Sequence, residues 1–303
     1  MTTTLSQPEA AEQAPDVVRI NALLAELRVA RNAVGDKEWL SAELAGEPVV
    51  SLGMLGSTGQ PLSALDSAGI GFLTPMVSFL QEPLNQLRGN PDSVSSGAGE
   101  FDGAARGATS VSEEYRSSAG KETSEWSGQS ASDYQKTGTE LADGILSIAE
   151  TSLTSAKAMI GAGEVVAQVV GIVTQLITEA VGKIVPIMTE AIAAAPATFG
   201  QSIAVAIPQC VQIAVDYAGQ IAGKLAALLA SGENLIKLID GALGALKIVK
   251  QVLSFIGKQS QGGSPSAPSG KQSQGSLPGA SSGDRSQTSG QDNNSAPATK
   301  KLA

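Results

Sequence analysis

Histidine is absent from this 303-residue chain, and cysteine occurs only once. Without imidazole there is no Ser–His or Cys–His pair, no usual general base and no histidine metal ligand. The lone Cys210 excludes an internal disulfide and a multi-cysteine zinc site. It lies in the apolar run Ile207-Pro208-Gln209-Cys210-Val211, where a buried, inert thiol is expected. Aromatic residues make up 3% of the chain, so any core must be built from Ala, Val, Ile and Leu. Those residues suit closely packed helices. A hydrophobic content of 42% is enough for one large domain or two small ones.

Other chemistry is also missing. Glu113-Glu114 and the pair Glu122 and Glu125 are adjacent or helix-spaced carboxylates, which read as solvated helix faces. Gly161-Ala162-Gly163 lacks the third glycine and the preceding strand of a phosphate-binding loop. The chain therefore reads as a non-enzyme with no cofactor and no metal.

Charge is unevenly placed. Residues 1–159 hold 21 acidic and 10 basic side chains, whereas residues 160–303 hold 8 and 10. Nucleic acid is not an expected partner, because phosphate binding needs clustered Lys and Arg. Met1 to Pro15 is polar and lacks a basic stretch followed by an apolar one, so no cleavable secretory signal is read there.

Four segments follow from the patterning. Residues 1–91 begin with a polar cap and continue into a helical pattern from Asp16 to Val34. Val17, Ile20, Leu24, Leu27 and Val34 form its stripe, and Asp16 is a candidate N-cap. Glycine and proline then break the pattern, and short helices are expected to pack on a main body. Trp39 reads as a packing residue near a helix end.

Residues 92–159 read as a helical hairpin. Asn90-Pro91-Asp92 is a strong helix start, with a capping Asn, Pro at the first helical position and an acid in the first turn. Val94, Ala98, Phe101, Ala105, Ala108, Val111, Tyr115, Ala119 and Trp126 are expected on one face. Val94, Phe101, Ala108 and Tyr115 recur every seven residues, which predicts a coiled-coil-like seam whose small residues let a partner helix approach closely. After Trp126-Ser127-Gly128, Ser130-Ala131-Ser132-Asp133 reads as a capping box that opens a second helix. Its stripe includes Ala131, Tyr134, Gly138, Leu141, Ile145 and Ile148. The two arms are expected to match at about thirty residues, roughly 45 Å each.

Residues 160–257 are dense in Val, Ile, Leu and Ala, and a helix buried on much of its circumference is expected there. Pro186, Pro196 and Pro208 are expected breaks or kinks. A last helix is expected after Ser231-Gly232-Glu233, with Leu235, Ile239, Ala242, Leu246, Val249, Leu253 and Ile256 as its seam and Gly257 as its stop. Ala191 to Val215 runs 25 residues without a charge, long enough for a membrane span. Its prolines, glutamines and many alanines favour a buried helix pair instead. Residues 258–303 form a Ser/Gly/Gln/Pro tail without Ile, Val, Met, Phe, Tyr or Trp, which is expected to be disordered. The six residues from Gly257 to Gly262 recur from Gly270 to Gly275.

The stretch from Trp126 to Tyr134, in this two-helix context, resembles the turn of the Trp-x-Gly (WXG) family of type VII secretion substrates in actinobacteria and relatives. Leu87 to Val94 is similar to the lead-in of the longer members, and the looser likeness extends to about residue 257. The resemblance implies an all-α fold: an antiparallel hairpin with a Trp-x-Gly turn, further packed helices and a disordered tail. It also implies a non-enzymatic substrate or effector-like protein, exported folded and secreted or displayed at the cell surface. Trp126, Gly128 and Tyr134 form the turn motif and a candidate partner contact, with Val94, Phe101, Tyr115, Leu141, Ile145 and Ile148 as the seam.

The family's export signal is a Tyr followed four residues later by an acid. Tyr115, Tyr134 and Tyr217 are followed at that spacing by Ala119, Gly138 and Ile221. The implied partner is thus a small helical Trp-x-Gly protein that supplies the signal, along with the secretion machinery. Three alternatives stand beside this. One is a membrane-active, inserting or pore-forming protein using residues 160–257, another the trafficking module of a polymorphic toxin, and the third a cytoplasmic scaffold.

Overall fold

A computed structural model describes residues 17–262, apart from 49, 57 and 58. The expected cap at Asp16 and the tail beyond Gly262 lie outside the described residues. The fold is all-α, and no strand occurs among the described residues. In chain order the α-helices are α1 (Val17–Gly35), α2 (Ala42–Ala45), α3 (Ser63–Ser67), α4 (Thr74–Val77), α5 (Glu82–Leu87), α6 (Pro91–Glu122), α7 (Gln129–Thr198) and α8 (Gln201–Gly262).

The organising element is α7. Its 70 residues extend roughly 105 Å at 1.5 Å per residue. Near its start α6 folds back along one side of α7, while α1 and the end of α8 pack elsewhere on it. Further along, α8 returns beside α7, and the short elements between α1 and α6 cover the pair. Trp39, Leu44, Leu65, Ile70, Leu73, Val77 and Leu80 from those elements join Val165, Val169, Val173, Ile177, Ile184 and Met188 of α7 in one core. Buried Trp39 agrees with its reading as a packing residue, and its Nε1–H donates to Val34 O at 3.2 Å.

Polar bonds seat the N-terminal elements on the long helices. Gln168 Nε2 of α7 donates to Leu44 O (3.1 Å), and the Ser41 N–H donates to Ser231 Oγ of α8 (2.9 Å). Lys224 of α8 pairs with Glu47 at 2.6 Å. At the opposite end, Leu23 and Leu27 of α1 form a second core with Ala242, Ala245 and Val249 of α8.

Several boundaries differ from those read in the sequence. The second arm is not matched to the first: α7 runs unbroken through the expected division at 159 and 160. Pro186 and Pro196 lie inside α7, and Pro208 lies inside α8. All three are exposed, so the carbonyls their missing N–H groups leave free face water while the opposite face stays packed. The reversal between α7 and α8 falls at Phe199 (φ +52°) and Gly200 (φ +83°), two consecutive left-handed residues. No new helix begins after Ser231, because its hydroxyl bonds back to Ala227 O at 2.8 Å inside a continuous α8. Gly257 does not stop that helix either, which reaches Gly262.

Candidate protein-interaction site

The first arm starts where the residues predict. Asn90 Oδ1 accepts from the N–H groups of Asp92 (2.9 Å) and Ser93 (3.2 Å), and Pro91 occupies the first helical position. The second arm starts differently. Gly128, not Ser130, is the residue before the helix, and no side chain caps it. Its φ of +91° and ψ of −175° belong to a region essentially reserved for glycine. The expected capping box is therefore absent. The helix has already begun at Gln129, so Ser130 sits inside the first turn.

Thr123 anchors the turn from below. It is buried, its hydroxyl donates to Ala119 O (2.8 Å), and the same oxygen accepts from Gln135 Nε2 (2.9 Å) across the hairpin. The Trp126 N–H closes the turn on Thr123 O at 3.0 Å. The indole itself points outward and is 57% exposed. Tyr134, 39% exposed, lies against it with ring centroids 5.5 Å apart and planes tilted by 51°. Trp126 is therefore a surface aromatic at the hairpin tip, with no place in the core.

The seam between the arms also differs from the expected one. The buried positions of α6 are Ala98, Ala105, Ser112 and Ala119, again seven apart but four residues out of step with Val94, Phe101 and Tyr115. Small residues bring the two backbones close. Ser112 Oγ donates to Ala142 O of α7 at 2.7 Å, and a Cβ added at Gly138 would stand 3.3 Å from Ala119 Cβ. Such spacing leaves no room for Phe or Tyr on the axis, so the large residues are displaced to a flank. Phe101 is 42% exposed and Ile148 45%, while Val94, Tyr115, Leu141 and Ile145 are half-buried. Seven-residue spacing recurs on α8, where Leu229, Ile236 and Leu243 are all exposed.

Buried acids were not singled out by sequence reasoning. Glu150 accepts from Arg28 Nε (3.1 Å) and Arg31 Nη1 (2.7 Å), which ties α1 to α7, and Asp143 pairs with Arg116 of α6. Their partners lie far away in the chain, so only their presence in an otherwise apolar stretch could have signalled them. Among the described residues, no three of His, Cys, Asp and Glu gather where a metal ion could bind. Cys210 is fully buried, with its sulfur 4.0 Å from Ile184 O, and burial pushes its thiol pKa up. Lys183 sits over the Tyr217 ring at 4.9 Å, and its pKa is raised chiefly by hydrogen bonding to Tyr217.

No protein-family model matches the chain, and neither a curated protein nor a solved structure matches it. The helical hairpin thus presents an aromatic tip and an apolar flank. It offers ring faces and aliphatic ridges to solvent.

Proposed function

We propose that this protein is a non-enzymatic substrate or effector-like component of a type VII secretion system, exported folded and paired with a small helical Trp-x-Gly partner. The observation that carries the proposal is the exposed Trp126–Tyr134 pair at the tip of a tight helical hairpin. Buried aromatics stabilise a fold, whereas exposed aromatic pairs at a rigid tip cost solubility and are favoured at binding hot spots. The apolar flank around Phe101 and Ile148 supports the same reading, because a partner hairpin would cover it as one more pair of helices. The partner supplies the Tyr-based signal that this sequence lacks, and the complex is secreted or held at the cell surface.

The test has two parts. Co-expression with a small Trp-x-Gly protein encoded beside it is expected to give a stable complex, weakened by Trp126→Ala and Phe101→Glu. Immunoblots of culture filtrate are expected to lose the protein when the secretion ATPase is deleted. Equal extracellular signal with and without the ATPase would sink the proposal.

A further inference from the structure

The end of the α7–α8 pair has a chemistry unlike the rest of the surface. From Ala191 to Val215 there is no charged residue, and the structure folds this stretch into a hairpin tip in place of a span. Phe199 stands at the apex, 98% exposed, on a backbone in the left-handed region. Ile192 and Val205 are exposed on the two arms just behind it. We infer that this tip is a membrane wedge that inserts into one leaflet of a lipid bilayer.

Three observations on the tip favour lipid over water or a polar partner. The hydroxyls nearest the apex are already satisfied within it. Ser202 Oγ donates to Ala191 O at 2.7 Å and lies 2.9 Å from Thr198 Oγ1, itself 3.0 Å from Ala194 O. The Gly200 N–H closes the turn on Ala195 O at 3.0 Å. Bonds kept within the hairpin lower the cost of entering hydrocarbon, and the carbonyls of Ile192 and Ala204, left free by Pro196 and Pro208, are the backbone acceptors that insertion must still accommodate.

The second observation is length. Phe199 lies nine positions beyond Glu190, the nearest charge on α7, or about 14 Å of helix. The hydrocarbon of one leaflet is about 15 Å deep. Insertion to Glu190 therefore stays within a single leaflet, and Gln201 beside the apex opposes deeper passage.

The third is the sign of the collar. Glu190, the charge nearest the apex, is acidic, while Lys183 and Asp216 lie farther back on the two arms, beyond the depth of one leaflet. The attraction is thus apolar, directed at zwitterionic lipid, and an anionic surface opposes it.

Flotation of the full chain with phosphatidylcholine vesicles tests the wedge. The wild type is expected to float, Phe199→Leu to float with it, and Phe199→Glu to lose binding by about tenfold or more, since a charge at the apex must be buried in hydrocarbon. Circular dichroism of Phe199→Glu is expected to match the wild type, because the side chain it replaces packs on nothing. In Phe199→Trp, brominated lipids are expected to quench emission beyond that of Trp39 and Trp126 in the wild type. Phe101→Glu, which weakens partner pairing in the function proposed above, is expected to leave flotation unchanged. The wedge is overturned if the wild type stays with the unbound protein, if Phe199→Glu floats equally well, or if Phe199→Trp shows no added quenching. It is likewise overturned if flotation requires anionic lipid and disappears at high salt. Cross-linking of the tip to a protein without any flotation would reassign it as a protein dock.

Discussion

Trp126 and Tyr134 face each other across the hairpin turn at 5.5 Å between ring centroids, and both remain open to solvent. The turn beneath them is held by other groups, namely Thr123, Gln135 and the backbone of Gly128. Shape and recognition are therefore carried by different residues, and substitutions separate them. Trp126→Ala is expected to lower stability by no more than about 1 kcal/mol, the worth of an exposed aromatic pair, while weakening partner capture. Urea unfolding beside a pull-down checks both; a large stability loss would place the indole in the fold after all.

Gly128→Ala is expected to do the reverse. At φ +91° and ψ −175° a Cβ is strained although no neighbouring atom stands within 4 Å, so the cost is conformational, about 1–3 kcal/mol. Thermal unfolding measures it. A variant as stable as the wild type would mean that the turn relaxes to another backbone without penalty.

Glycines inside the long helices divide by what surrounds them. A Cβ at Gly144 would meet Leu253 Cδ1 at 2.6 Å and Cγ at 2.9 Å, whereas Gly107 has nothing within 4 Å. Gly144→Ala is expected to destabilise, because overpacking of about 1–3 kcal/mol exceeds the helix-propensity gain of about 1 kcal/mol. Gly107→Ala is expected to stabilise by up to about 1 kcal/mol. Pairing Gly144→Ala with Leu253→Ala should recover part of the loss, and additive losses in that double mutant would count against the contact.

The Glu150 carboxylate holds two arginines of α1 but shares the burial unequally with them. Glu150→Ala is expected to cost about 2–3 kcal/mol, since it leaves the partly buried Arg31 without its charge partner. Arg28→Ala, at the half-exposed side chain, is expected to cost less than about 1 kcal/mol. Equal losses in denaturant titrations would contradict this division.

Cys210 supplies a pH dependence. Burial raises its pKa in the fold, so the unfolded chain loses the thiol proton first as pH rises. Its contribution to stability is fully present below the unfolded thiol pKa and is lost as pH climbs through the folded value. Unfolding free energy should thus fall on the alkaline side, and Cys210→Ala should flatten that fall. Alkylation of the native protein should be far slower than of the unfolded chain; rapid native labelling would show the site to be open.

Much of the fold was legible along the chain, because its signals are local. The Asn90-Pro91-Asp92 start is a matter of three residues and their side chains. The apolar stripes of α1, of α7 beyond Val165 and of α8 follow from periodicity, and the fully buried Cys210 follows from its apolar run. Helix ends inside apolar stretches were not legible. Proline marks a lost N–H, and whether that ends a helix depends on whether water can reach the carbonyl left free. At exposed Pro186, Pro196 and Pro208 it can, and the helices continue.

The seam shows the same division more sharply. Seven-residue spacing belongs both to Val94, Phe101, Ala108 and Tyr115 and to Ala98, Ala105, Ser112 and Ala119. Composition favours the larger set, since large apolar side chains gain more from burial. The structure buries the smaller one, because two backbones close enough for Ser112 to reach Ala142 O leave space only for Ala, Ser and Gly. By itself the sequence determined an all-helical chain with a Trp-x-Gly turn, since propensity, capping and periodicity act between near neighbours. Only the tertiary structure decided that Trp126 and Phe101 face outward and that the uncharged stretch ends in Phe199 at an open tip. Exposure is a property of what packs nearby, and those neighbours are set by how distant helices approach.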